Sequence, residues 1–388
     1  MSPSPLSLPQ QALAAVDTRS FFKLHWTCFK VLGINASNSS AYYLGYSLLL
    51  QVLVTLCYPL HLALVLFDSA DASKNIQNLA ICVICVVCSM KFAIYAARMS
   101  RIRELESIIA TLDARAQSLC ERRYFVVIRK EIRRITFGFL SIYAAVAVMA
   151  ELMFFLRNEH NLIYPGWFPF DWRATDLKFY AANFYQIVGV TYQLLQNFIN
   201  NCLPTIALAL LSAHIKLLGI RVSQIGYAGE SPEANEEELL CCIKDQEQLY
   251  NMLSVIQNII SLPIFLQFTV TAVNICLPLA ALLCYVDSPF DRLFFVVYLF
   301  AVPLEIFPIC YYGTRFQLLF DKLHVEMFFS NWVEQTHKFR KHMILFCERS
   351  LKNQTATAGV IIRIHLDTFV STCKTAYSLL AVIMKMNE

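Results

Sequence analysis

The sequence predicts an all-α integral membrane protein with seven transmembrane helices. Hydrophobic residues make up 57% of the 388 residues and charged residues only 15%, which leaves too little polar surface to cover a soluble core of this size. Each of seven apolar stretches reaches the roughly 20 residues that a helix needs to cross about 30 Å of hydrocarbon. These stretches, called spans 1 to 7, are Tyr42–Phe67, Ile76–Ala97, Ile135–Leu156, Tyr185–Leu211, Leu253–Val286, Leu293–Thr314 and Ala356–Ile383.

The basic residues lie almost entirely on one side of these spans. The N-terminal segment and the connections after spans 2, 4 and 6 hold 23 of the 32 Lys and Arg residues, whereas the other connections and the C-terminus hold 6. Basic residues near span ends are retained in the cytosol, so a cytosolic N-terminus and an extracellular C-terminus are expected. This orientation is the reverse of that of a G-protein-coupled receptor.

A single membrane domain over residues 1–388 accounts for this pattern. The N-terminal segment shows no signal peptide, since its apolar run around Ala12–Val16 is too short, and span 1 is expected to act as the signal anchor. The expected parts are a cytosolic N-terminal segment (1–41), spans 1 to 6 with a ligand cavity (42–314), cytosolic anchor helices (315–355) and a last, pore-lining span (356–388).

The cytosolic connections carry helical patterns. After span 4, Ser231-Pro232-Glu233 is typical of a helix start, with proline in the first turn and acids that complement the helix dipole. We expect spans 5 and 6 to continue below the membrane and to pack there with Phe316–Phe329 and Phe339–Phe346. The resulting collar of helices is suited to holding subunits together. After span 2, apolar residues repeat at helix spacing: Ile102, Leu105, Ile108, Ile109 and Leu112.

Span 4 presents amide side chains on one face of an otherwise apolar helix. Gln193, Gln196, Asn197, Asn200 and Asn201 recur three or four residues apart. Two interpretations stay open. The amides either form hydrogen bonds between helices, which are common in membrane bundles, or they form a polar wall that runs inward from a ligand cavity.

Span 6 holds a carboxylate, Glu305, between Pro303 and Pro308. A charge at that depth costs about 2.5–3.5 kcal/mol on insertion scales unless it is paired, protonated or hydrated. Glu305 is therefore expected to face protein or water rather than lipid. A structural pairing and a role in gating are both consistent with the sequence.

The last span combines an apolar end with several titratable residues, and such a helix is usually shielded from lipid. If each subunit contributes one such helix to a central axis, the helices would line a pore with apolar constrictions. A packed internal helix is the alternative. The predicted pore stripe, at a spacing of three to four residues, is Leu366, Val370, Cys373, Tyr377 and Leu380.

The sequence indicates neither a metal site, nor a cofactor, nor a catalytic group, nor nucleic-acid binding. Cys82, Cys85 and Cys88 recur at every third residue of span 2, but without a nearby His or carboxylate pair they favour packing over metal binding. His365 and Asp367 lie two residues apart on one predicted helix and should point to different faces. An enzymatic dyad is therefore not expected.

Two other classes of multi-span membrane protein are alternatives, a G-protein-coupled receptor and a membrane transporter. A G-protein-coupled receptor should show an acidic-Arg-Tyr motif after span 3, an Asn-Pro-x-x-Tyr motif in span 7 and an outer disulfide. All three are missing, and the long outer connection Arg157–Phe184 has no cysteine. A membrane transporter or acyltransferase would be expected to show inverted repeats with broken helices, or a catalytic His with a nearby acid inside a span. His61, at the predicted outer end of span 1, has no acid beside it.

Three segments resemble the insect odorant receptor family, and the resemblance covers the whole chain. The outer connection Tyr164–Trp172 (Tyr-Pro-Gly-Trp-Phe-Pro-Phe-Asp-Trp) is similar to a motif of many members. Leu304–Gly313 in span 6 and Lys374–Leu380 in span 7 match further family signatures. The inverted topology of that family is also what the distribution of basic residues predicts.

The resemblance implies a tuning subunit of an odorant-gated, non-selective cation channel in the plasma membrane of a sensory neuron dendrite. Its partners would be a small volatile ligand, membrane lipid and an odorant co-receptor that completes a heterotetramer. The co-receptor has a long insertion after span 4. Here that connection, Ser212–Met252, is short.

In that family the ligand binds between the outer halves of spans 2, 3, 4 and 6. Apolar and aromatic walls with a few hydroxyl groups suit a small volatile molecule that carries one polar group. For each residue, ordinary packing in the bundle is the alternative. Selected by depth and helix face, the candidate lining residues are Val83, Val87, Tyr143, Ala147, Ala150, Phe154, Ile187, Thr191, Leu194, Phe295 and Tyr298.

Overall fold

The protein is a bundle of long helices. The computed structural model describes residues 17–34, 40–68, 72–116, 118–156, 162–284 and 289–387. Its helical segments are Thr18–Phe22 (3-10), Lys23–Val31, Ala41–Leu50, Gln51–Leu56 (π), Cys57–Asp68, Ala72–Ala97, Met99–Ala114, Leu119–Leu156, Asp176–Gln224, Pro232–Cys284, Pro289–Phe328, His337–Ser350 and Leu366–Asn387.

A helix lies in each of the seven predicted spans, although in span 7 it begins ten residues late, and this confirms the all-α membrane architecture. By length and composition, four of the described helices are long and apolar enough to cross a membrane. Ile81–Ala97 and Met99–Ala114, bent by 61° at a short break, would add a fifth span if counted together. Each spanning segment satisfies its own backbone hydrogen bonds, as a bilayer requires.

The helices of spans 4, 5 and 6 are 49, 53 and 40 residues long, well beyond the length that crosses a bilayer. Their extensions meet at one end of the bundle, together with the helices Met99–Ala114 and His337–Ser350, and we call this end the collar. The span 5 helix begins at Pro232, as the Ser231-Pro232-Glu233 pattern predicts. The Ser231 hydroxyl accepts a hydrogen bond from the Ala234 amide at 3.3 Å, which caps this helix.

Aromatic side chains form the core of the collar. Phe339 and Phe346 on the helix His337–Ser350 are fully buried, and so are Phe316 and Phe320 on the extension of span 6. All four belong to one hydrophobic cluster that continues into the spans. The predicted packing of these segments with the extensions of spans 5 and 6 is therefore confirmed, and the collar and the spans share one core.

The N-terminal segment is bound to the collar by a buried carboxylate. Asp113 accepts hydrogen bonds from the Thr18 amide at 2.7 Å and from the Thr18 hydroxyl at 3.0 Å. His214 on the extension of span 4 lies 3.6 Å from the same carboxylate. Burial raises the pKa of Asp113 to about 6 and lowers the pKa of His214 to about 3.

The last predicted span begins later than expected. Thr357–Ala358 and Ile362–Arg363 form a two-stranded antiparallel hairpin, and the helix begins only at Leu366. The prediction of a helix from Ala356 is therefore wrong over its first ten residues. Gly359, at a φ of +62°, supplies the left-handed turn, and its amide donates to the Ser261 carbonyl of span 5 at 3.0 Å.

The late helix start also changes the expectation for His365 and Asp367. His365 precedes the helix, and its Nδ1 lies 3.1 Å from Asp367 Oδ2, so the prediction that the two point to different faces is wrong. The Asp367 side chain is 93% exposed. The pair lies on an open surface rather than in a pocket that would bind a substrate.

Candidate ligand and channel site

Five polar side chains from five different spans close a hydrogen-bonded ring inside the bundle, which we call the polar ring. Lys91 Nζ donates to Asn201 Oδ1 and to Gln267 Oε1, both at 2.6 Å. Asn201 Nδ2 donates to the Tyr143 hydroxyl at 2.6 Å, and that hydroxyl donates to Glu305 Oε1 at 3.0 Å. Gln267 Nε2 donates to Glu305 Oε2 at 3.3 Å, which closes the ring.

Each member comes from a different span: Lys91 from span 2, Tyr143 from span 3, Asn201 from span 4, Gln267 from span 5 and Glu305 from span 6. The Lys91 side chain is fully buried, and Tyr143, Asn201 and Gln267 are at most 9% exposed. One cation and one anion are thus held inside the bundle with amide and hydroxyl groups between them. This arrangement satisfies charges that would be costly if isolated in the membrane.

Sequence analysis identified Glu305 but not its partners. Lys91 is one of only three basic residues inside the predicted spans, together with Arg363 and Lys374. The sequence does contain a signal that could have paired Lys91 with Glu305, because each is an isolated charged residue inside an otherwise apolar span. Tyr143 was predicted to line the ligand cavity. Its hydroxyl instead belongs to the polar ring, and its lining role stays a prediction.

Most amides of span 4 bind spans 1 and 2. Gln193 Nε2 donates to Ser89 Oγ at 3.0 Å, and Gln196 Nε2 donates to Thr55 Oγ1 at 3.0 Å. Asn200 Nδ2 donates to the Cys88 carbonyl at 3.0 Å. Of the two interpretations left open, this geometry favours hydrogen bonding between helices.

The other predicted cavity residues are mostly half-buried. Tyr143 is 6% exposed, whereas Thr191 is exposed and its hydroxyl donates to the Ile187 carbonyl of its own helix at 2.8 Å. The half-buried candidates are Val83, Val87, Ala147, Ile187 and Leu194. The side chains of Ala150, Phe154, Phe295 and Tyr298 lie outside the described part of the structure. The assignment of all of them to a ligand cavity stays a prediction.

The aromatic motif Tyr164–Trp172 packs onto the ends of spans 1 and 4 that lie opposite the collar. Two hydrogen bonds join Tyr164 and Gln186: the Tyr164 amide donates to Gln186 Oε1 at 3.1 Å, and Gln186 Nε2 donates to the Tyr164 carbonyl at 2.8 Å. The Trp167 amide donates to the His61 carbonyl at 2.9 Å. A Cβ on Gly166 would lie 2.6 Å from the His61 ring, so only glycine allows this approach. The motif therefore fixes a cap over this end of the bundle.

The last helix packs through one face and leaves another open. Ala376 is 1% exposed, and the Phe369 ring meets the Phe307 ring of span 6 edge to face at 5.6 Å. In contrast, Val370 is 48% exposed and Tyr377 is 72% exposed. Leu366 and Cys373 are half-buried, and the Leu380 side chain lies outside the described residues. Val370 and Tyr377 are therefore exposed in the single subunit, as the side chains of a pore-lining helix must be. That this helix lines the pore stays a prediction.

Span 6 holds the last helix through the second family motif. A Cβ on Gly313 would lie 2.1 Å from the Ile364 carbonyl oxygen, so the absence of a side chain lets the segment before the last helix lie directly on span 6. The Thr314 hydroxyl accepts the Leu366 amide at 3.0 Å and so caps the start of the last helix. Among the described residues, no group of His, Cys, Asp and Glu side chains has the arrangement of a metal site.

Comparisons with known proteins agree with this architecture. The family model described as 7tm Odorant receptor matches residues 71–377. Odorant receptor 59a of Drosophila melanogaster is 40% identical over 394 residues, which covers 96% of this chain and 99% of that protein. Odorant receptor 23a of the same species is 33% identical, with 92% of this chain and 94% of that protein covered.

Solved structures show the same fold. The insect olfactory receptor OR5 from Machilis hrabei superposes with a TM-score of 0.83 at 14% identity, over 95% of this chain and 98% of that chain. Its complex with eugenol superposes with a TM-score of 0.81 over the same shares. The sequence match over most of the chain and the shared seven-helix membrane fold lead to one conclusion: this chain belongs to the insect odorant receptor family.

Proposed function

We propose that this chain is the odorant-binding subunit of a ligand-gated, non-selective cation channel in the plasma membrane of a sensory neuron dendrite. The observation that carries the proposal is the polar ring, supported by family membership and by the complex of a relative with eugenol. A small volatile molecule would bind between the outer halves of spans 2, 3, 4 and 6. The collar would lie in the cytosol.

The polar ring connects the proposed ligand-binding spans to the helices that hold the last span. Spans 2, 3, 4 and 6 each contribute one member of the ring, and Gln267 brings in span 5. Span 5 binds the hairpin through Ser261, and span 6 binds the last helix through Thr314. A ligand that separates the first group of spans would therefore shift the equilibrium between closed and open arrangements of the last helix.

A co-receptor is the proposed partner, bound through the collar. The collar leaves large apolar side chains uncovered in the single chain, which is typical of a surface that another subunit covers. The exposed fractions are 54% for Phe328, 63% for Phe329, 65% for Val333, 66% for Ile344 and 67% for Leu351.

Whole-cell recording tests the proposal. The chain would be expressed with and without the co-receptor, and a panel of volatile molecules would be applied. We expect odorant-gated current only with the co-receptor, and comparable membrane insertion in both cases. Robust current from this chain alone would rule out the tuning-subunit role, and no response to any volatile with the co-receptor present would count against odorant gating.

Cysteine scanning separates the proposed pore from packing. In a background that lacks Cys373, single cysteines at Val370 and Tyr377 should react with a water-soluble thiol reagent and block the current. A cysteine at Ala376, which is 1% exposed, is the matched control and should not react. Substitutions at Thr191 should shift only the odorant concentration dependence. If Val370 and Tyr377 are as inert as Ala376, the pore lies elsewhere.

A further inference from the structure

The extension of span 3 into the collar carries a basic face. Its helix begins at Leu119, and five exposed basic side chains precede the apolar part of the span. Arg123, Lys130 and Arg134 recur at seven and four residues, which places them on one stripe of the helix. Arg129 and Arg133 flank that stripe.

The same stripe continues as exposed apolar side chains further along span 3. Phe137, three residues after Arg134, is 66% exposed, and Val148 is 61% exposed. Both lie within about 40° of the direction of Arg123 around the helix at 3.6 residues per turn. One continuous face therefore turns from basic to apolar near the start of span 3. If lipid chains cover the apolar part of this face, the headgroups of the same lipids would lie beside its basic part.

The two acidic residues in the basic part of this helix, Glu121 and Glu131, are neutralised by other helices. Glu131 binds Arg315 of span 6, and Glu121 binds Arg221 on the extension of span 4 at 2.5 Å. Arg123, Lys130 and Arg134 make no ion pair with any residue that the structure describes. The helix thus turns its acids toward the bundle and presents unneutralised positive charge outward.

We propose that this face binds the headgroup of a polyanionic phospholipid of the inner leaflet, a phosphoinositide. The proposal rests on the cytosolic location of the collar given under the proposed function. Clusters of four or more basic residues next to a span attract such lipids, and arginine pairs with phosphate oxygens through two parallel hydrogen bonds.

The length of the basic face favours a phosphoinositide over a smaller anionic lipid. Arg123 lies 11 residues before Arg134, which is about 16 Å along a helix. The headgroup layer is only about 5–8 Å thick on each side of the membrane. The residues from Arg129 to Arg134 lie within about 8 Å along the helix and would reach the headgroup layer. Arg123 lies beyond that layer and requires phosphates that project further from the membrane, as those on an inositol ring do.

A binding measurement on the full receptor tests this proposal. The purified complex in neutral detergent would be titrated with fluorescent short-chain phosphatidylinositol 4,5-bisphosphate, with phosphatidylserine of the same chain length as the comparison. The test variant is Arg123→Gln/Lys130→Gln/Arg134→Gln. The matched control, Lys244→Gln/Lys322→Gln/Lys341→Gln, removes three exposed lysines from other collar helices. The variant Arg123→Lys/Lys130→Arg/Arg134→Lys keeps the charge.

We expect the test variant to bind the phosphoinositide about 100-fold more weakly than the parent, with near-parent affinity in the other two variants. Equal affinity in the test variant and the parent, or an equal loss in the control variant, would overturn the proposal. Competition by free inositol trisphosphate at the same affinity would also overturn it, because the site would then recognise a soluble anion. The lipid titration uses no odorant, so its outcome does not depend on whether the chain responds to odorants in the whole-cell recording.

If the triple variant elutes as an aggregate, the double variant Lys130→Gln/Arg134→Gln is measured in its place. Phosphoinositide binding about 30-fold weaker than that of the parent supports the proposal. Binding equal to that of the parent contradicts it.

Discussion

Replacing Lys91 by methionine removes the only cation of the polar ring and keeps most of the side-chain volume. Lys91 Nζ lies 2.6 Å from Asn201 Oδ1 and 2.6 Å from Gln267 Oε1, and the side chain is fully buried. Lys91→Met therefore leaves two amide oxygens without a donor and the Glu305 carboxylate without a compensating charge. Removing one partner of a buried charge pair costs about 3–5 kcal/mol.

The double variant measures the coupling. Glu305→Gln keeps an oxygen for the Tyr143 hydroxyl but places an NH2 group against the Gln267 amide donor. Lys91 keeps its two amide oxygens, so the cost should be smaller, about 1–3 kcal/mol. In Lys91→Met/Glu305→Gln both charges are gone. The double variant should then be less destabilised than Lys91→Met alone, so that the coupling energy exceeds the cost of Glu305→Gln by itself, about 1–3 kcal/mol. Lys374→Met, at an exposed position of the last helix, is the matched control and should stay within about 0.5 kcal/mol of the parent.

Thermal melting of the detergent-solubilised complex, followed by size-exclusion chromatography, ranks the four variants. The order expected from most to least stable is the control, Glu305→Gln, the double variant and Lys91→Met. In recordings, variants that still reach the surface should show a changed resting current, because the ring connects the spans that hold the last helix. A Lys91→Met protein that melts with the parent, or strictly additive single effects, would refute the coupling.

Three further predictions follow from local geometry. Gly313→Ala should destabilise the protein by about 1–3 kcal/mol in thermal melts, since its Cβ would meet the Ile364 backbone, whereas Gly138→Ala, with open space around it, should not. The neutral, buried His214 stabilises the fold above its unfolded pKa of about 6.5, and this stability is lost as the pH falls. His214→Gln should therefore gain about 1.3 kcal/mol relative to the parent between pH 7.5 and 5.5, and an unchanged difference would contradict this. The three glycosylation sequons, at Asn35, Asn38 and Asn353, lie on the predicted cytosolic side, so treatment with an endoglycosidase should leave the gel mobility of the protein unchanged. A mobility shift would overturn the predicted orientation.

The sequence by itself determined the features that depend on local properties. The length of an apolar stretch decides whether a helix can cross a bilayer, so all seven spans could be located without the fold. The start of the span 5 helix at Pro232 follows from a cap and the first-turn acids, which act within one turn. The packing of Phe339 and Phe346 follows from apolar spacing along one helix.

The tertiary structure decided which distant residues meet. Lys91 and Glu305 are separated by more than 200 residues, and only the packing of five spans shows that Tyr143, Asn201 and Gln267 connect them. An amide or a carboxylate inside a span must find a partner, but its own sequence does not say on which helix.

The start of the last helix also required the tertiary structure. The hairpin at Thr357–Ala358 is held by Ser261 of span 5, and Gly313 of span 6 allows the approach of Ile364. Apolar residues of this segment fit a helix and a strand equally well when only the sequence is considered. Contacts with spans 5 and 6 decide between helix and strand. The amides of Gly359 and Leu366 donate to Ser261 and Thr314 of these spans rather than to carbonyls within one continuous helix.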